Sequence, residues 1–169
     1  NAINALLADI CLWNFEYEEC LSYIEEIESS VINLVTGSQW YTIFYPGNTE
    51  EGIFEVQFND NLGQGNKMFA ITYTQANYKA SLKAVELLSP FLTKEYTRGD
   101  GSFRSTDLKI WKYCGSAGDG QSIRPSSVRS SGNWIIYRYA DILLMKAEAL
   151  LRNGNAGDDR RRERNPLPF

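Results

Sequence analysis

Two stretches gather flat rings and amides outside any regular apolar pattern. Trp40, Tyr41 and Tyr45 lie in one, and Tyr73, Gln75, Asn77 and Tyr78 in the other. Such rings stack on the flat C–H faces of a sugar, while Asn, Gln, Asp and Arg serve its hydroxyls. These seven residues are the expected ligand contacts, and the chemistry is binding without bond breaking. The competing reading is that each ring plugs the core beneath a long loop.

Catalysis has fewer candidates. The chain contains no histidine, which removes Ser–His–Asp and Cys–His mechanisms and most zinc and haem sites. A carboxylate pair can hydrolyse a glycoside. Asp141 and Glu148 are the pair on offer, but seven helical residues separate them by roughly 10 Å. Each also has an arginine at ion-pairing distance along the helix: Arg138 three residues before Asp141, and Arg152 four after Glu148. Such partners hold a carboxylate ionised. Arg138, Asp141, Glu148 and Arg152 therefore read as structural ion pairs, with no catalytic residue, metal site or cofactor expected. Gly63-Gln64-Gly65 is too short for a nucleotide loop, and Arg98-Gly99-Asp100 reads as a coincidental tripeptide. The three cysteines, Cys11, Cys20 and Cys114, form neither a disulfide framework nor a zinc motif, and Cys11 and Cys20 fall on or beside apolar helical stripes.

The charge balance is 17 basic against 21 acidic residues, a net −4. Five arginines (Arg152, Arg160, Arg161, Arg162, Arg164) and three acids crowd the last 18 residues, and without them the net charge is −6, from 12 basic and 18 acidic groups. An acidic body argues against a nucleic-acid surface. The arginine-rich end has no Gly-rich cradle beside it and reads as a solvated tail rather than a phosphate site. No apolar run approaches the roughly 20 residues of a membrane-spanning helix. The opening NAINALLADICLW has no initiator Met and lacks a signal peptide's basic n-region, so the chain is expected to be part of something longer.

The elements that must position these residues follow from periodicity. Ile3, Leu6, Leu7, Ile10 and Trp13 recur at helical spacing, and so do Tyr17, Cys20, Leu21, Ile24, Ile27 and Val31, with Asn14 as the expected cap of the second helix. Glu16–Glu28 supplies the second helix with a solvated acidic face. Two short helices with almost no loop make a hairpin, the unit of helical repeats, and one hairpin cannot bury its apolar face alone. Residues 36–52 read as a loop carrying aromatics. Residues 53–58 alternate as a half-buried strand with Phe54, Val56 and Phe58 on one face and Glu55 and Gln57 on the other. Met68–Tyr73 reads as extended, and Leu108–Tyr113 as a further alternating segment. Ser81 is placed to cap a helix with the stripe Leu82, Val85 and Leu88, ended by Pro90. After a long Gly/Ser-rich stretch, 115–133, comes the strand-like run Trp134–Tyr137. Tyr139–Arg152 is apolar almost all round and should be a buried helix, with Gly154 just past its end.

Five segments, in order, resemble the SusD/RagB family of the Bacteroidetes: ALLADICLWNFEYEEC, GNTEEGIFEVQF, YKASLKAVELL, TDLKIWKY and NWIIYRYADILLMKAEALLRNGN. They cover about residues 5–157. The sequence departs from the family pattern in three places. The N-terminal part of the family chain, with its signal peptide, lipid-bearing Cys and earlier helical repeats, is absent. Tyr96 stands where an acidic residue often precedes the retained Arg98. Residues 158–164 (DDRRRER) replace a further helix.

The resemblance implies a mostly α (α+β minor) fold: a SusD-like helical-repeat (TPR-like) scaffold with irregular loops and a few short strands. It implies a single partial domain, 1–169, made of a helical hairpin (1–35), a loop- and strand-rich ligand side (36–138), a core helix (139–154) and a basic tail (155–169). It further implies an outer-membrane, cell-surface protein, attached only through a lipid anchor absent from this chain. Its partners would be a TonB-dependent (SusC-like) outer-membrane transporter and an oligosaccharide or, in some members, a peptide. No family motif fixes the ligand residues. A helical-repeat interaction module without a small-molecule ligand, and a glycoside hydrolase, are the other readings.

Overall fold

The computed structural model describes residues 1–88, 102–104, 106–114, 123–124 and 131–154. Pro90, the segment with Tyr96 and Arg98–Asp100, most of the 115–133 stretch and the tail from 155 lie outside them. In chain order the elements are α1 (Ala2–Trp13), α2 (Tyr17–Glu28), a 3-10 helix (Gly37–Ile43), β1 (Gly52–Val56), a short 3-10 turn (Asp60–Leu62), a π-helical turn (Ala70–Thr74), α3 (Leu82–Leu88), a second short 3-10 turn (Trp111–Tyr113), β2 (Trp134–Arg138) and α4 (Tyr139–Gly154). β1 and β2 pair in a two-stranded sheet. No helix among the described residues is long and apolar enough to cross a membrane. The chain divides into two units, one from Asn1–Leu34 and the chain from Tyr137 onward, the other Val35–Ile136.

In the first unit α2 packs against both α1 and α4. α2 buries Tyr17, Cys20, Ile24 and Ile27, the heart of its expected stripe. α1 corrects its expected stripe. It buries Ala5, Ala8 and Cys11, whereas Ile3 is 74% and Trp13 78% exposed. Small side chains at three-residue spacing let the α1 backbone approach its neighbour closely, and that turns the larger side chains outward. α4 is corrected in the same sense. Ala140, Ile142 and Ala149 are buried, but Leu144 is 70% exposed and Leu150 and Leu151 are exposed as well. Asn14 caps the end of α1 rather than the start of α2, and the chain turns between them through Phe15 at φ 63°. Polar ties fasten the unit. The Tyr137 hydroxyl donates to Asp9 Oδ2 at 2.7 Å, and Lys146 Nζ donates to Glu28 Oε2 at 2.6 Å. The Arg138 backbone N–H donates to Asp141 Oδ2 at 3.1 Å, half of a capping box at the start of α4. The Arg138–Asp141 and Arg152–Glu148 ion pairs form at 3.6 and 2.9 Å.

In the second unit the core is aromatic: Trp40, Tyr41, Ile43, Phe44, Phe69, Trp111 and Cys114. The expected aromatic loop is a 3-10 helix at Gly37–Ile43, which delivers Trp40, Tyr41 and Phe44 inward together. The expected extended segment at 68–73 is helical, because Met68 O accepts the Thr72 hydroxyl and the backbone closes a π turn. The 108–113 segment contributes a single bridge, Lys109 to Lys79, before its 3-10 turn. α3 starts where expected, with Ser81 Oγ accepting the Ala84 N–H at 3.1 Å, but its stripe is open, Leu82 being exposed. Burial pushes the Cys20 thiol of the first unit up to about 11 and the Cys114 thiol of the second up to about 12, so both are neutral at physiological pH.

Arg104, Asp107 and Lys109 form a cluster in this unit. Arg104 Nε donates to Asp107 Oδ1 at 3.0 Å, and Lys109 Nζ lies 3.8 Å from Asp107 Oδ2. The hydrogen bond from Arg104 lowers the Asp107 carboxyl from its ordinary 3.8 to about 2. A lowered carboxylate pKa contributes stability that is whole above the unfolded value and is lost as pH falls through the folded one. Denaturant titrations should therefore show stability falling as the pH drops from near 3.8 towards 2, with a shallower fall in Asp107→Asn. Equal slopes in the two proteins would contradict that role.

Candidate functional site

The second unit carries a solvent-open cleft of about 480 Å³. Its walls come from three stretches far apart in sequence: 45–48, 57–61 and 131–133. Tyr45 follows the 3-10 helix directly. Its neighbour Phe44 turns into the core, where its ring centroid lies 4.9 Å from that of Trp40 and 5.6 Å from that of Tyr113 in edge-to-face packing. Tyr45 turns the other way and lines the cleft. The guanidinium of Arg124 lies 5.0 Å from the Tyr45 ring centroid. Arg124 is itself buried, donates to the Tyr113 carbonyl, and has its pKa lowered by desolvation. The ring therefore stands against a fixed cation, which restricts its motion and holds it as a platform.

The polar part of the lining is a network of amides. Asn48 and Gln57 exchange two hydrogen bonds, at 2.9 and 2.8 Å. Asn133 Nδ2 donates to Gln57 Oε1 at 3.1 Å and to Glu55 Oε2 at 2.9 Å. Glu55 in turn accepts the Asn48 backbone N–H at 3.0 and 3.2 Å with its two oxygens. This explains a reversal in β1. The polar residue Glu55 is the more buried, and Phe54 and Val56 of the expected inner face are exposed. The strand forms where alternation places it, but the carboxylate faces the network. Gly47 is required here, since φ is +81° and a Cβ would stand 2.6 Å from Glu55 Oε2 and 2.7 Å from Asn133 Nδ2. At the far end Asn59 Oδ1 accepts the Asn61 N–H at 2.9 Å, opening the short turn that carries Asp60. Side chains held by one another in this way present their remaining donors and acceptors in fixed directions, which lowers the entropy lost when a ligand binds.

Of the seven expected contacts, Tyr45 alone lines the cleft. Trp40 and Tyr41 are core residues, 7% and 3% exposed. Tyr73 packs half-buried between Phe69 and Trp111, with Lys109 Nζ 4.2 Å from its ring centroid. Gln75 and Asn77 are exposed and hydrogen-bonded to each other at 3.3 Å, and Tyr78 is 63% exposed. Asn48, Gln57, Phe58, Asp60 and Asn133 are among the lining residues that ring-centred reasoning overlooks. The signal for them is amide density: Asn48, Gln57, Asn59 and Asn61 fall within 14 residues, around one strand. Among the described residues no group of three Cys, Asp or Glu side chains could hold a metal ion.

The model of the SusD family matches residues 39–162. Among solved structures, surface glycan-binding protein A from Bacteroides thetaiotaomicron is similar at 21% identity, with a TM-score of 0.50 over 89% of this chain and 42% of that one. The structure of the same protein in complex with laminarihexaose gives 21% identity and a TM-score of 0.49 with the same coverage. The chain thus spans less than half the length of these structures. A search of curated proteins finds no match.

Proposed function

The chain belongs to the SusD family, with a SusD-like, mostly helical fold and a minor two-stranded sheet, and from that premise we propose that it serves to capture nutrient oligosaccharide at the outer-membrane surface. In this reading a sugar ring lays its C–H face on Tyr45, and its hydroxyls exchange hydrogen bonds with the Asn48, Gln57 and Asn133 amides and donate to the Asp60 carboxylate. The captured ligand passes unbroken to a TonB-dependent outer-membrane transporter, and no side chain performs chemistry on it.

The observation that carries the reading is the conjunction of a fixed ring and a self-bonded amide wall on one cleft. Sugar hydroxyls both donate and accept, and primary amides answer both needs without a charge. The ion-paired state of Asp141 and Glu148, on another unit from the cleft, favours binding over hydrolysis.

Isothermal titration of the protein against a panel of oligosaccharides tests this. Saturable heat with at least one glycan, and no reducing ends released on long incubation, is the expected result. Heat with peptides alone would move the protein to a peptide-binding role. Release of reducing ends, abolished by changing one carboxylate, would make it a hydrolase.

A further inference from the structure

The ionisable groups that line the cleft among the described residues are Tyr45 and Asp60, and no Lys or Arg joins them. Asp60 is exposed at the mouth of its turn. Behind the amides stands a second carboxylate, Glu55, 2.9 Å from Asn133 Nδ2. Arg124, whose guanidinium lies 5.0 Å from the Tyr45 ring centroid, is buried, donates to the Tyr113 carbonyl and is not part of the lining. The remaining polar groups are uncharged: Asn48, Gln57, Asn59, Asn61, Ser131 and Asn133. Recognition of a uronate carboxylate or a sugar sulfate draws on Arg or Lys, whose charge-assisted hydrogen bonds offset the cost of stripping water from an anion. Among the described residues the cleft presents an anion with the Asp60 carboxylate instead, and Glu55 stands behind the amides.

We propose that the cleft selects uncharged oligosaccharides and excludes uronic-acid and sulfated glycans, with Asp60 as the residue that sets this choice. The inference rests on the glycan-capture reading and narrows it. The physical basis is asymmetric. A neutral sugar gives Asp60 hydroxyl donors and strengthens with its charge, whereas an anionic sugar meets like charge at the same point. The field of the acidic body adds to that repulsion at low ionic strength and is screened by salt.

Affinity electrophoresis through gels containing neutral polysaccharides (starch, xylan, mannan, mixed-linkage glucan) or acidic ones (polygalacturonate, alginate, chondroitin sulfate) tests the proposal, using the wild-type protein, Asp60→Asn and Asp60→Lys. The wild type should be retarded by a neutral polysaccharide and by none of the acidic ones at low salt. Asp60→Lys should gain retardation on an acidic polysaccharide, by about tenfold over wild type at low salt and less at high salt. Asp60→Asn should weaken binding to the neutral ligand. Asp60 is exposed, so circular dichroism should show all three proteins folded alike. Retardation of the wild type by an acidic polysaccharide, equal to or stronger than by any neutral one, would overturn the selectivity while leaving glycan capture standing. Retention of the neutral ligand undiminished in both variants would overturn the role of Asp60. If no glycan of either kind binds the wild type, the capture reading itself fails and the inference with it.

Discussion

Trp40→Ala should lower folding stability by about 3–5 kcal/mol, the usual cost of emptying a large aromatic site in a core. Trp40 is 7% exposed and touches the core on two sides, with ring centroids 5.3 Å from Tyr41 and 4.9 Å from Phe44, both edge-to-face. Deleting the indole removes both contacts and leaves a cavity beneath the segment that carries Tyr45. Urea denaturation followed by circular dichroism measures the loss. Trp40→Phe should recover much of it. A benzyl ring refills most of the space, and the buried indole N–H, which has no partner among the described residues, is no longer there to be desolvated. A Trp40→Ala protein as stable as wild type would show that this ring is not the core element its burial indicates.

Tyr45→Ala should have the opposite profile: a small change in stability and a large one in binding. The ring is half-buried, and the Arg124 guanidinium lies 5.0 Å from its centroid, a contact of the kind that contributes about 1 kcal/mol. As the platform of the cleft it should act as a binding hot spot, costing about 2 kcal/mol or roughly a thirtyfold rise in Kd when truncated. Tyr45→Phe keeps the ring and its stacking face and should lose far less, the difference reporting the hydroxyl. Titration calorimetry with whichever oligosaccharide binds the wild type reads both variants. If Tyr45→Ala binds as well as wild type, the ligand does not rest on this ring, and the exposed pair Gln75 and Asn77 with Tyr78 becomes the next place to look. The two substitutions, five residues apart, thus separate scaffold from site within a single segment.

That separation was invisible in the amino-acid order. Trp40, Tyr41 and Tyr45 share composition, spacing and a Gly/Pro-flanked setting, and nothing local distinguishes a ring that plugs a core from one that faces a ligand. The sorting is done by Trp111 and Cys114, which arrive from some 70 residues further along to complete the cluster around Trp40. The cleft is equally non-local. Asn133 reaches Glu55 across 78 residues of sequence, and without that meeting neither residue would suggest a wall.

The helices were legible because their signals are local. Repeats of three and four residues in 2–13, 17–28 and 139–154, a serine cap at 81 and alternation at 53–58 each depend on neighbours within one or two turns of chain. The order of the five segments was likewise enough to announce the family, since order and spacing survive where individual ligand contacts vary. Inward and outward faces were not. α1 hides Ala5, Ala8 and Cys11 and shows Ile3 and Trp13, and β1 turns Glu55 inward and Phe54 outward. Periodicity says that a side chain shares a face with others. Which face meets the interior is settled by the free energy of contacts beyond the element itself, and a carboxylate with two donors aimed at it can outweigh a phenyl ring with none.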